Sequence, residues 1–205
     1  MGKRYLTDVL ETMGHHVDGL KFAGGSFSLF PEDKLRELID LAHQHDVYVS
    51  TGGWIEHVLS HSSDPNRDVD RYLSQCKRLG FDVLEVSCGF LSIPPDDWVR
   101  LVLKVNEPGL KAKPEIGIQV MIESEGITEN VRSWRTGVIQ NILRELPSDK
   151  VMFEAADPKV FNWYIREFGA DVNLFVDHSQ IVQLSCLRMG IWGMADTFGK
   201  ITTFR

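Results

Sequence analysis

Cysteine is scarce in this chain, and its pattern excludes the roles that cysteine-rich domains have. Cys76, Cys88 and Cys186 are odd in number and lack C-x-x-C spacing, so they predict neither a disulfide framework nor a zinc site. This usage is typical of a reducing compartment, and we expect a cytoplasmic protein. No apolar run approaches the roughly 18 residues of a membrane span, and the N-terminal stretch lacks the apolar segment of a signal peptide. We therefore expect no membrane partner.

An excess of basic charge is also missing. The net charge is -7, and Lys and Arg form no cluster, which argues against nucleic acid as a partner. Neither G-x-G-x-x-G after a first strand nor G-x-x-x-x-G-K-[ST] occurs, so the common nucleotide-binding folds lack their signatures. With 205 residues, 43% of them hydrophobic, the chain is long enough for one sizeable core. We predict a single domain over residues 1–205.

Helical and strand patterns alternate along the chain. Alternation of this kind is typical of a parallel sheet with helical crossovers. The strand patterns are VDGLKFA, VYVST, VLEVS, KPEIGIQVMIESEG, VMFEA and VNLFVDH. The α/β class leaves two architectures, a (β/α)₈ barrel and an open doubly wound sheet. Charged residues on many different strands favour the barrel, whose site collects side chains from several strand ends.

Five short stretches within these patterns each place a charged residue on a strand or at its carboxyl end. The five are Lys21, Glu85, Glu115, Glu123 and Glu154. Lys and Glu are rarely buried without a partner or a function. We therefore predict that these side chains meet in one pocket, although a structural ion pair or a solvated strand end explains each residue about equally well.

One stretch does not fit a regular alternation. KPEIGIQVMIESEG, which follows the predicted linker NEPGLKAKP, reads as two strand patterns with nothing between them. Parallel neighbours require a crossover of about a dozen residues or more. No such crossover is available around Gln119 and Val120, so either one strand is unusually long or a crossover segment is missing from this chain.

Several blocks of the sequence resemble the phosphosulfolactate synthase family, in its eukaryotic branch with the plant heat-stress-associated proteins. The blocks are GLKFAGGSFSL, VYVSTGGWIEH, GFDVLEVSCGFLSIP, KVMFEA, FGADVNLFVDHSQIVQLSCLR and ADTFGK. The resemblance implies a (β/α)₈ barrel that has lost a strand before Tyr5 and the crossover noted above. It also implies a lyase that adds sulfite to phosphoenolpyruvate with Mg²⁺. In this expectation sulfite attacks C2, a cation stabilises the charge that develops on the carboxylate, and an acid protonates C3.

The resemblance assigns roles to the residues already singled out. Lys21, Glu85 and Glu154 are the expected catalytic residues, and Glu115 and Glu123 the expected Mg²⁺ ligands. A small anionic phosphorylated substrate would be bound by the backbone of the glycine turns and by neighbouring side chains. The residues of this substrate-binding set are Gly24, Gly25, Ser26, Gly52, Gly53 and Arg188.

Departures from the family pattern keep a second interpretation open. Ile118 and Glu125 stand where the archaeal and bacterial synthases have a lysine and an arginine, and the basic residue before DTFGK is lost between Trp192 and Ala195. An anionic substrate requires positive charge. The alternatives are a non-catalytic heat-stress-associated type of protein that retains the barrel, and an inactive shortened variant. A homo-oligomer is also left open.

Overall fold

The computed structural model describes residues 2–87, 91–114 and 120–191. The chain divides into two compact units, the N-terminal unit Met1–Gly117 and the C-terminal unit Ile118–Arg205. The helices are α1 Lys3–Met13, α2 Glu32–His43, α3 Ile55–His61, α4 Pro65–Leu79, α5 Pro95–Asn106, α6 Thr136–Glu145, α7 Pro158–Phe168 and α8 Ile181–Arg188. The strands are β1 Gly19–Lys21, β2 Tyr48–Ser50, β3 Val83–Val86, β4 Lys111–Pro114, β5 Val120–Ile122, β6 Val151–Glu154 and β7 Leu174–Phe175. The prediction of one domain over residues 1–205 is not tested by this division.

Capping residues define the ends of the clearest helices. Asp157 accepts a hydrogen bond from the backbone N–H of Lys159 at 2.7 Å, and Pro158 takes the first helical position of α7. Asp is common at the N-cap and Pro at the first position of a helix. At the other end, α4 stops at Gly80, which has a left-handed φ of 98°. Glycine adopts that conformation without the steric penalty of a Cβ.

The strand order identifies the type of α/β fold. β1 to β4 form one sheet and β5 to β7 another, all pairs are parallel, and within each sheet the strands follow their order in the chain. A doubly wound sheet reverses its strand order at a switch point, whereas a β/α barrel does not. The fold is therefore of the barrel type, as predicted. Over the described residues its strands form two ladders and not one closed barrel.

One strand begins within the predicted linker NEPGLKAKP, two residues before the predicted strand pattern KPEIGIQVMIESEG. KAKP forms β4, whose residues pair with Val83–Val86 of β3. The linker prediction was wrong at Lys111 and Ala112 because lysine and alanine have low strand propensity, and pairing with a buried neighbour strand overrides that preference. The second half of the doubled pattern is β5, and residues 115–119 lie outside the described part of the chain.

Each unit has its own hydrophobic core. In the N-terminal unit Ile39, Val49 and Leu84 are completely buried between helices and sheet, and in the C-terminal unit Val151 and Phe153 are. Cys76 belongs to the first core, where burial raises the pKa of its thiol to about 12. A buried thiol with a raised pKa is expected to be unreactive.

Candidate active site

The N-terminal unit brings two of the predicted catalytic residues together. Lys21 is the last residue of β1, and its Nζ lies 3.0 Å from Oε2 of Glu85 in β3. The side chains are only 12% and 3% exposed. Between them lies β2, whose Ser50 is in register with Lys21 on one side and with Val83 on the other. The carboxyl ends of three parallel strands thus converge on one nearly buried ion pair.

Polar side chains that the sequence did not single out surround this pair. The Thr51 hydroxyl accepts a hydrogen bond from the backbone N–H of Glu85 at 3.3 Å. Just beyond β3, the Ser87 hydroxyl donates to Oε2 of Glu56 at 2.8 Å. Glu56 lies in the first turn of α3, where a carboxylate interacts favourably with the helix dipole. Thr51, Ser87 and Glu56 are all buried. The site therefore contains two buried carboxylates, Glu56 and Glu85.

Gly53 packs closely against these groups. A Cβ at this position would lie 3.0 Å from Oγ of Ser87 and 3.4 Å from Oε1 of Glu85. Its neighbour Gly52 is different, because it has a left-handed φ of 66° and a Cβ there would lie 2.1 Å from the carbonyl oxygen of Phe22. Gly52 is thus required by the close packing of the backbone. The lack of a side chain at Gly53 lets the backbone approach the buried carboxylate of Glu85 closely.

The turn after β1 contains the other predicted glycine pair. Gly25 is buried beneath Trp54, whose ring a Cβ would meet at 2.0 Å, so its role in packing explains its identity. Gly24 is exposed and has no atom within 4 Å of the Cβ position. Ser26 follows, half-buried, in the same 3₁₀ segment Ala23–Leu29. Their role in substrate binding stays a prediction.

The third predicted catalytic residue, Glu154, lies in the C-terminal unit at the end of β6. Its Oε2 accepts hydrogen bonds from the backbone N–H of Ser124 at 3.1 Å and from the Ser124 hydroxyl at 3.0 Å. Ser124 follows β5 and begins a tight turn, in which its carbonyl accepts from the N–H groups of residues 127, 128 and 129. This unit therefore also places a carboxylate at a carboxyl strand end, held by neutral donors.

The remaining predicted site residues are Glu115, Glu123 and Arg188. Glu123 is exposed next to β5, and Glu115 lies outside the described residues. Arg188 ends α8 and donates through Nη2 to the carbonyl of Val172 at 2.7 Å, before β7 begins. The structure thus places Arg188 at the opposite end of the sheet from Glu154. These assignments stay predictions.

A groove lies away from this cluster. Its volume is about 690 Å³, and the residues that line it include Asp18 and Tyr48, at the amino ends of β1 and β2. Sites of β/α barrels lie at the carboxyl ends, so we take the Lys21–Glu85 cluster and not this groove as the candidate.

Over the described residues, no group of three or more His, Cys, Asp or Glu is arranged to hold a metal ion. In the same part of the chain, none of the helices has the length and apolar character needed to cross a bilayer.

Comparison with known families assigns the chain. The family model for (2R)-phospho-3-sulfolactate synthase (ComA) matches residues 1–120 and 118–194. The chain belongs to the phosphosulfolactate synthase family. Among curated proteins it is 33% identical to Protein HEAT-STRESS-ASSOCIATED 32 of Arabidopsis thaliana, over 92% of this chain and 81% of that protein. It is 25% identical to the Phosphosulfolactate synthase of Methanothermobacter thermautotrophicus, over 98% of this chain and 89% of that protein.

The same comparisons bear on the missing crossover. Each of these two alignments extends over 235 positions, whereas the chain has 205 residues, so at least 30 positions of each relative have no counterpart here. The family model matches in two parts that meet at residues 118–120. The break therefore falls at the predicted junction between Gln119 and Val120.

Solved structures support the fold alone. Dihydrodipicolinate synthase from Oceanobacillus iheyensis matches with a TM-score of 0.50 and 11% identity, over 92% of this chain and 66% of that one. The spore cortex-lytic enzyme SleL of Bacillus cereus matches with a TM-score of 0.50 and 11% identity. This match covers 75% of the chain but only about half, 47%, of SleL. Such similarity agrees with the barrel-type strand order and indicates nothing about the reaction.

Proposed function

We propose that this family member is a phosphosulfolactate synthase-like lyase that adds sulfite to phosphoenolpyruvate or a closely related phosphorylated acid. The observation that supports this proposal most directly is the nearly buried Lys21–Glu85 pair at the carboxyl ends of β1 and β3. A buried ion pair contributes little net stability compared with apolar packing. Its position at the end of a barrel-type sheet, where barrel enzymes have their active sites, favours a functional role.

The family's product name corrects the expected direction of the addition. In phospho-3-sulfolactate the sulfo group is on C3, so the prediction that sulfite attacks C2 is wrong for this reaction. The new C–S bond forms at C3, and the electron pair of the C2–C3 double bond moves toward C2 and the carboxylate. A proton must then be added to C2, on one face, to give the 2R product.

Lys21 is the residue suited to these two tasks. Its ammonium group stabilises the negative charge that develops on the substrate carboxylate, and it can then deliver a proton to C2. Glu85 holds Nζ at 3.0 Å at the strand end. A fixed donor of this kind adds the proton from one side only.

Glu56, Ser87 and Gly53 complete the proposed site around Glu85. The hydrogen bond between Ser87 and Glu56 holds the Ser87 side chain beside Gly53. Exposed Gly24, after β1, offers backbone near Lys21 for a phosphate group. Arg188 and Glu123 belong to the C-terminal unit, and this proposal assigns them no role.

Mg²⁺ is compatible with the oxygen groups of this site. Mg²⁺ commonly uses only one or two carboxylates, together with water and substrate phosphate. Oε1 of Glu85 lies beside Gly53, as does the Ser87 hydroxyl, which is bonded to the Glu56 carboxylate. The carboxylates of Glu85 and Glu56 would hold the ion. When bound, the ion would neutralise the charge on substrate oxygens.

A direct assay tests the proposed reaction. The protein is mixed with phosphoenolpyruvate, sulfite and Mg²⁺, and the phosphorus spectrum is followed for loss of substrate and appearance of a phosphosulfolactate signal. We expect turnover by the wild type and none by Lys21→Ala. Absence of turnover by the folded wild type over the full range of sulfite and Mg²⁺ concentrations would overturn the proposal.

A glycine substitution tests the location of the site. Gly53→Ala places a methyl group against Ser87 and Glu85, and we expect at least a tenfold fall in turnover with little change in the melting temperature. The matched control is Gly137→Ala in α6, where a Cβ meets no atom within 4 Å. Equal turnover of the two variants would place the reaction elsewhere.

One observation favours a second candidate, a non-catalytic heat-stress-associated type of protein. The plant relative is 33% identical to this chain and the archaeal synthase 25%. Glu125, at the position where the synthases have arginine, is exposed and accepts a hydrogen bond from Asn130 at 2.8 Å. Under this alternative, calorimetry detects no saturable binding of phosphoenolpyruvate, whereas binding that Lys21→Ala removes would contradict it.

A further inference from the structure

The helix α5 has two unlike flanks, and the apolar one faces away from the helix before it. Trp98, Leu101, Val102 and Val105 of α5 pack on the core of the N-terminal unit. On one flank, Nζ of Lys104 lies 2.8 Å from Oδ1 of Asp70 in α4. This contact identifies the side of α5 on which α4 lies.

The opposite flank of α5 is hydrophobic and exposed. At about 100° per residue, Val99 lies about 110° from the core direction, on the side away from Lys104. Leu103 follows one helical turn later and is turned further toward solvent. Val99 is 55% exposed and Leu103 61%. With half-buried Val102, these residues form what we call the α5 apolar flank.

The direction of winding shows which segment belongs on that flank. In a parallel sheet whose strands follow chain order, right-handed crossovers place successive helices side by side on the same face. α4 precedes β3 and α5 precedes β4. A crossover that leaves β4 would therefore lie beside α5, on the side away from α4. That is the side of the α5 apolar flank.

This crossover is the part that the relatives have and this chain lacks. The alignments leave at least 30 positions of the relatives without a counterpart, and the family match breaks at residues 118–120, soon after β4 ends. About 30 residues are enough for a crossover with a helix of average length.

We propose that the α5 apolar flank is a docking surface for an amphipathic helix, and that its occupant is the crossover helix that the relatives carry at this junction. The flank accepts this helix when the segment is supplied separately or restored to the chain. The proposal does not depend on the proposed reaction, because Val99, Val102 and Leu103 have no part in the Lys21–Glu85 site.

A binding experiment on the intact chain tests the proposal. The probe is a synthetic peptide of the Arabidopsis relative's residues that align between Gln119 and Val120, labelled with a fluorophore. We expect saturable binding that Leu103→Gln weakens by about tenfold or more, the amount expected for losing one buried leucine. The matched control is Leu29→Gln, an exposed leucine of the same unit at 84% exposure, which should leave binding unchanged. A scrambled peptide should not bind.

A second measurement covers the case in which the separate peptide is too unstructured to bind. The same segment is inserted between Gln119 and Val120 of the intact chain, and unfolding is followed in urea. Leu103→Gln should raise the unfolding equilibrium constant about tenfold in the inserted chain and less than twofold in the parent. Equal effects in both chains would overturn the proposal. A dimer of the parent that Leu103→Gln dissociates would also overturn it, since the occupant would then be a second copy.

Discussion

Glu85 and Glu154 stand at matching places in the two units, at or near the carboxyl end of a parallel strand, but their charges are stabilised in different ways. Glu85 is 3% exposed and lies 3.0 Å from the ammonium group of Lys21. Glu154 is half-buried and accepts hydrogen bonds from the hydroxyl and backbone N–H of Ser124. A cation beside a buried carboxylate can act on an anionic substrate, whereas neutral donors mainly hold the carboxylate in place. This difference supports the assignment of the proposed lyase reaction to the N-terminal unit.

The largest effect should come from removing the cation of the Lys21–Glu85 pair. Lys21→Met leaves the Glu85 carboxylate buried without its ammonium partner, and breaking such a pair costs about 3–5 kcal/mol of unfolding free energy. We expect Lys21→Met/Glu85→Gln to recover part of this loss, because the isolated charge is then gone. Urea unfolding of the single and double variants measures both quantities.

An exposed lysine provides the control for this experiment. Lys34 pairs with Glu37 on the surface of α2, and its side chain is 57% exposed. Lys34→Met should therefore change stability little, since solvent screens surface pairs. If Lys21→Met is no more destabilising than Lys34→Met, Glu85 is not held as a buried charge, and the contrast with Glu154 disappears.

A smaller effect is expected at the Glu154 site. Ser124→Ala removes the hydroxyl donor 3.0 Å from Oε2 but keeps the backbone N–H donor, so we expect a loss of about 1.5 kcal/mol, the lower range for a hydrogen bond to a charged group. Urea unfolding measures the loss, with Ser60→Ala at an exposed serine as control. A loss as large as that of Lys21→Met would mean that the two carboxylates are equally dependent on one partner.

Local sequence signals mark helix ends and singled out two residues of the candidate site. Asp157 with Pro158 marks the start of α7, and Gly80 marks the end of α4, because capping depends on a few neighbouring residues. A charged residue on a strand also predicted Lys21 and Glu85 as site residues. Their pairing follows from the parallel register of three strands, which a barrel-type fold implies.

Contacts between distant elements were not accessible in the same way. Glu56 and Ser87 are 31 residues apart, and neither has a local pattern that distinguishes it from ordinary surface residues. One signal was available, since Glu56 follows the glycine turn in TGGWIEH, a block that already carried the family resemblance. The start of β4 was predicted two residues too late, because Lys111 and Ala112 become part of a strand only through pairing with β3.

The smallest effect is a pH dependence at Asp177, a second carboxylate of the C-terminal unit, which is held mainly by hydrogen bonds from Ser179 and lies 4.0 Å from Nδ1 of His178. The Ser179 hydroxyl at 2.5 Å and the Ser179 backbone N–H at 2.9 Å both donate to Oδ1 and lower the pKa of Asp177 below its ordinary value of 3.8. Because the folded chain then releases this proton more readily than the unfolded chain, Asp177 contributes stability above its unfolded pKa. That contribution is lost as the pH falls below about 4 and through the folded pKa.

Replacing either partner should flatten this acid dependence. Asp177→Asn keeps a capping side chain but has no proton to bind, and Ser179→Ala removes the hydroxyl that lowers the pKa most. Urea unfolding between about pH 5 and pH 2 should give both variants a shallower fall in stability than the wild type. The difference should be small because the Asp177 side chain is 50% exposed. Identical slopes for the wild type and both variants would contradict this prediction. The contrast between the carboxylates of the two units would then rest on the Lys21–Glu85 pair alone.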